Sequence, residues 1–159
     1  MLFIITASLT SCNYRLLKNM TRSPLATIIM MITSLGFTLP VGRFIMLDEL
    51  TKIELLIAIN FTLVNISSPI FWSNPVQHSL IHKIDGAVAK SLYFLVLVYN
   101  SLIFFDPFVA TCLFMIVISF GFSHYFSSNV WCSLPHVISH AALHVSSILG
   151  GCCLFSRPS

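Results

Sequence analysis

Three imidazoles recur at four-residue spacing in LPHVISHAALHVSSILGG, where His136, His140 and His144 stand in an otherwise apolar run. On a helix these three fall within an arc of about 80°, shared with Ser133, Ser147 and Gly151. They form a polar stripe roughly 12 Å long at the helical rise per residue. A second cluster, FWSNPVQHSLIHKIDG, holds His78, His82 and Asp85 at i, i+4 and i+7. They share one face if a helix begins at Asn74-Pro75, where Asn caps and Pro suits the first helical position. Several neutral imidazoles with a carboxylate make the donor set of a transition metal. Zinc leads, because it takes nitrogen ligands in a tetrahedral shell and can leave one position for water, which a nearby carboxylate orients or deprotonates. The same spacing also serves histidines that hydrogen-bond across helices or tune a proton path, so both readings stand.

The elements that would position these groups are membrane helices. The 159 residues are 57% hydrophobic and 8% charged, against about 25% charged in a soluble domain. The net charge of +3 is scattered and small, which argues against a nucleic-acid partner. A spanning helix needs about 20 apolar residues, and five stretches are expected to supply one, over residues 24–47, 54–72, 86–105, 107–126 and 133–155. The first is interrupted by Gly36 and Pro40, and the second carries Asn60, Asn65, Ser67 and Ser68. The charged stretch Arg43 to Glu54, the reversal Asp106-Pro107 and the polar link SSNVW separate them. The fold class is therefore all-α, a polytopic helical bundle of about five spans in one domain.

With five spans, Arg15, Lys18, Arg22, Lys83 and Lys90 share one side with the N-terminus, against Arg43, Lys52 and Arg157 on the other. That bias favours a cytosolic N-terminus. The opening MLFIITASLTSC is too short to span and has no basic residues before it, which suits an interfacial or re-entrant turn better than a secretory signal. Its LTSC matches a lipoprotein cleavage pattern by coincidence. Asn19-Met-Thr21 and Asn65-Ile-Ser67 match the glycosylation pattern by spacing only. Five cysteines without a CxxC argue against a disulfide framework or zinc ribbon, and Cys152-Cys153 read as buried thiols. No phosphate loop, nucleophile elbow or Gly-rich cofactor fingerprint is present. All six histidines, His124 included, fall at or just inside the same side of the five-span arrangement.

The trio of a Ser/His turn at the end of an early span, an Asp opening the next and HxxxH on the last resembles the CREST membrane hydrolases. That superfamily includes alkaline ceramidases, progestin and adipoQ receptors and hemolysin III proteins. SNPVQH resembles its Ser/His element, KID its Asp element and SHAALHVSSILGG its last-span motif. The resemblance implies zinc held by His78, His140 and His144, Asp85 acting on the zinc-bound water, and Ser73 as a supporting donor. It further implies hydrolysis of a lipid amide, or a related receptor role, with membrane lipids as partners. His82 and His136 lie outside the carried-over pattern and stand as alternative ligands, groups that orient a ligand, or hydrogen bonders between helices. Two other classes remain open. One is a haem held by two histidines; the other is a non-enzymatic scaffold or receptor-like membrane protein whose histidines are structural.

Overall fold

The computed structural model describes residues 24–47 and 49–156. The opening apolar stretch, the Asn19-Met-Thr21 pattern and the charges Arg15, Lys18, Arg22 and Arg157 lie outside them. Six helices follow one another: α1 Pro24–Leu35, α2 Thr38–Ile45, α3 Lys52–Ser73, α4 Leu80–Leu102, α5 Pro107–Asn129 and α6 Leu134–Leu154. Among the described residues there is no strand.

Local chemistry sets most of the boundaries. Thr51 opens α3 with a reciprocal capping box, its hydroxyl accepting from the Glu54 backbone while the Glu54 carboxylate accepts from the Thr51 N–H. Asp106 caps α5 by accepting from the N–H groups of Phe108 and Val109, and Pro107 takes the first position, where no N–H is needed. The first apolar stretch is two helices, broken at Gly36-Phe37. A side chain at Gly36 would meet the Ile148 methyl at 2.7 Å, so the break also lets α6 approach closely.

The expected start of α4 is corrected. Asn74 does not open a helix: it closes α3, its N–H bonded to the Phe71 carbonyl. Ser79 caps α4 instead, accepting from the His82 N–H, while His78 lies outside any helix at φ 62°. Both Asn74 and Ser79 carry cap chemistry. The segment between them is needed to turn the chain, because α4 returns alongside α3 and a helix begun at Pro75 would leave no room for the reversal. Consequently His78 does not share a helical face with His82 and Asp85.

The bundle is inside-out relative to a water-soluble domain. Glu54, Ser67, Ser68, Asp85, Asn100, Ser123, His136 and His144 are buried, whereas Ile32 and Phe114 are each 65% exposed and Leu102 80%. Such a surface calls for hydrocarbon around it, with the polar groups turned inward. Four segments are long and apolar enough to cross a membrane: Pro24–Ile45, Lys52–Ser73, Pro107–Asn129 and Leu134–Leu154. The fifth, α4, matches them in length but carries Lys83, Asp85 and Lys90, so the expected five spans become four apolar helices and one charged one.

Packing is uneven. α5 and α6 form the most intimate pair and α3 and α4 the next, with α1 laid across α3 and α6, while α4 and α5 make few contacts. A large core around Phe37, Phe61, Val96, Tyr99 and Phe155 fills one end of the bundle. A smaller one around Met30, Phe71, Trp72 and Val137 lies toward the histidines.

Candidate functional site

The sparse contact between α4 and α5 leaves a cavity of about 600 Å³. Its walls are mainly apolar, from Phe61, Val96, Leu113 and their neighbours. Its polar lining includes Asp85, Lys90, Ser123 and five of the six histidines besides His144. The sixth, His144, also lines it, so every histidine of the chain faces one space.

His144 is engaged on both ring nitrogens. Thr33 Oγ1 gives its hydrogen to the carbonyls of Ile29 and Met30, at 3.0 and 3.2 Å, and lies 3.2 Å from His144 Nδ1. Since the threonine hydrogen is committed, Nδ1 carries the proton and donates it. Nε2 is then the acceptor, and Ser68, which receives a bond from Ser34, lies 3.5 Å away as its donor. The ring thus ties α6 to α1 and α3, with Phe37 set edge-on at 5.2 Å. His140 Nδ1 lies 3.1 Å from the Ser123 hydroxyl, and Trp72 meets its ring at 5.1 Å.

Two other histidines are fixed by one device used twice. In Val76-Gln77-His78-Ser79-Leu80-Ile81-His82 and Val130-Trp131-Cys132-Ser133-Leu134-Pro135-His136 the pattern Val-x-x-Ser-Leu-x-His repeats, the second directly after Ser128-Asn129 and the first after Ser73-Asn74 with Pro75 between. The residue before the serine has positive φ, 62° at His78 and 57° at Cys132. Its N–H is thereby directed at the histidine four positions on: His78 donates to His82 Nδ1 at 2.9 Å and Cys132 to His136 Nδ1 at 3.1 Å. Trp131 joins the two caps, lying 5.3 Å from the His82 ring and 4.9 Å from that of His136, its indole donating to the Pro75 carbonyl at 3.3 Å. Phe71 stacks on the His82 ring at 4.9 Å and lies 6.3 Å from Trp131.

Asp85 is buried, and its Oδ1 accepts from the Ser67 hydroxyl at 2.8 Å. Ser67, not Ser73, is the serine that meets this carboxylate. Ser73 is exposed and donates to the Ile70 carbonyl, away from the cavity. Ser67 and Asp85 sit on α3 and α4, 18 positions apart, so only the antiparallel pairing of those helices joins them.

The donor set does not fit a metal as arranged. Among the described residues no three His, Cys, Asp or Glu side chains gather into a metal-holding group. His78 lies exposed in the link between helices and His144 has both nitrogens bonded within the protein. His82 and His136 accept a backbone N–H on Nδ1, so in the neutral ring Nε2 carries a hydrogen and has no lone pair for a metal. The same engagement of ring nitrogens bears on a haem with two histidine ligands.

No family model, curated protein or solved structure matches the chain.

Proposed function

We propose that this protein receives an amphiphilic lipid in the membrane, its chain lying along the walls of the cavity between α4 and α5 and its polar head among the histidines. The observation that carries this reading is the cavity itself: about 600 Å³ of mainly apolar space with polar groups along part of its lining, inside a bundle with an apolar exterior. That volume falls within the range of about 300–1,000 Å³ usual for ligand sites. By the balance of Lys and Arg, the N-terminus and the histidine end face the cytosol.

Lipid mass spectrometry on the protein purified in mild detergent tests the reading, beside a Gly86→Phe variant. Gly86 lines the cavity and nothing lies within 4 Å of a Cβ placed there, so a bulky ring fills the space without a clash at its first carbon. Wild-type protein should carry lipid and the variant should lose most of it. Equal lipid in both overturns the proposal.

Zinc-dependent hydrolysis of a lipid amide is the second reading, favoured by Asp85, His140 and His144 lining one cavity. It requires a regrouping of ring nitrogens that are now bonded elsewhere. Metal analysis of the same sample separates the readings. About one zinc per chain, lost in a His140→Ala, His144→Ala double variant, with release of fatty acid from a lipid amide, supports the hydrolase. Lipid without metal supports a binding or receptor-like role.

A further inference from the structure

The repeated caps fix the tautomer of two histidines that line the cavity. A backbone N–H can only donate, so the nitrogen it reaches must be unprotonated. His82 and His136 therefore hold one tautomer, with hydrogen on Nε2, and this is fixed by the backbone. Both rings line the cavity and flank Trp131, at 5.3 and 4.9 Å. Tautomer locking of this kind suits a group that must present an N–H to a ligand. It is the reverse of what a metal ligand needs.

We propose that His82 and His136 are a paired donor site for an uncharged acceptor oxygen, the carbonyl of a lipid's acyl head. This rests on the reading of the cavity as a lipid site and names which part of the lipid is recognised. The donors are neutral, and the cavity lining holds the Asp85 carboxyl and, among the described residues, a single lysine or arginine, Lys90. A full negative charge is therefore matched less well than a carbonyl dipole. Trp131 keeps the two rings in register by its hydrogen bond to Pro75 across the two links.

The test uses the full chain in detergent and its own fluorescence, because both tryptophans of the protein, Trp72 and Trp131, stand beside these rings. Dibromostearoyl glycerol, which has an ester carbonyl, is compared with dibromostearyl alcohol, which lacks one, by bromine quenching. The ester should bind about tenfold more tightly, the worth of a hydrogen-bonded carbonyl. His82→Asn and His136→Asn retain an acceptor near Nδ1 for the cap but place nothing at Nε2, and together they should abolish the preference while alcohol binding persists. Glutamine at the same positions sets an amide N–H near Nε2 and should restore part of it.

Alcohol binding in each variant reports that the cavity has folded. Equal binding of ester and alcohol by wild type, or an ester preference that survives both asparagines, overturns the donor site and leaves the lipid cavity standing. Tighter binding of the corresponding lysophosphatidate overturns the preference for an uncharged oxygen. Quenching by none of these lipids removes the cavity reading and this inference together.

Discussion

At His144 the ring donates to Thr33 and accepts from Ser68, bridging α6 to α1 and α3. Removing the ring takes away the acceptor of the buried Ser68 hydroxyl, and an unsatisfied buried hydroxyl costs about 1–3 kcal/mol. His144→Leu should therefore lower the thermal unfolding midpoint in detergent, and Thr33→Val in the same background should add little, since the two act through one bond. An additive loss would show that Thr33 and His144 act separately. Cys132 offers a second check. It is buried in the link between α5 and α6, and burial pushes its thiol up to about 11. Because the thiolate is the reactive form, Cys132 should stay unmodified by iodoacetamide at neutral pH in the folded protein and react on unfolding, as peptide mass spectrometry would show.

Among the elements, the two copies of Val-x-x-Ser-Leu-x-His differ in one respect. Ser79 accepts the His82 N–H with its hydroxyl, whereas Ser133 makes no such bond. Ser79→Ala should cost about 1 kcal/mol and Ser133→Ala distinctly less, measured by unfolding of the two variants side by side. The far end of α6 makes a sharper demand. A Cβ at Gly151 would stand 2.4 Å from Phe61 Cζ and 3.0 Å from Pro40 Cβ. Gly151→Ala should destabilise by about 1–3 kcal/mol through overpacking, and pairing it with Phe61→Leu should recover part of that loss. The apolar runs, the turn at Asp106-Pro107 and the inward histidine stripe of α6 can be read directly from residue order, because each depends on neighbours within a few positions. The cap at Ser79 and the partnership of Ser67 with Asp85 cannot. Asn74 and Ser79 both carry cap chemistry, and only the space α4 needs to return along α3 chooses between them. Ser73 stands nearer in sequence to His78 than Ser67 does, yet helical rotation turns it outward. The repeated heptapeptide is visible in the sequence, but its meaning depends on the positive φ at His78 and Cys132, which no residue type there announces.

For the whole molecule, the five rods alternate, so residues 74–79 and 130–133 lie at one end while the turn at Asp106 and the close of α6 lie at the other. Tyr99 donating to Glu54 at 2.6 Å and the Asp106 N–H bonding to Asn100 mark that second end. Single cysteines introduced at Gln77 and at Ser156, in a chain otherwise free of cysteine, should be labelled by an impermeant maleimide from opposite sides of sealed vesicles. Labelling from the same side would overturn the five-crossing topology. If the balance of Lys and Arg sets orientation, the Gln77 position is the one protected in intact cells.

On the proposal that the cavity holds a lipid, the sparse seam between α4 and α5 governs how its occupancy is measured. A site reached through a wall that faces hydrocarbon is filled from the bilayer and not from bulk water. Its saturation then follows the guest's mole fraction among the surrounding lipids, and adding membrane at fixed total guest dilutes the guest and empties the site. Titrations at different lipid-to-protein ratios should collapse onto one curve only when plotted on that two-dimensional scale.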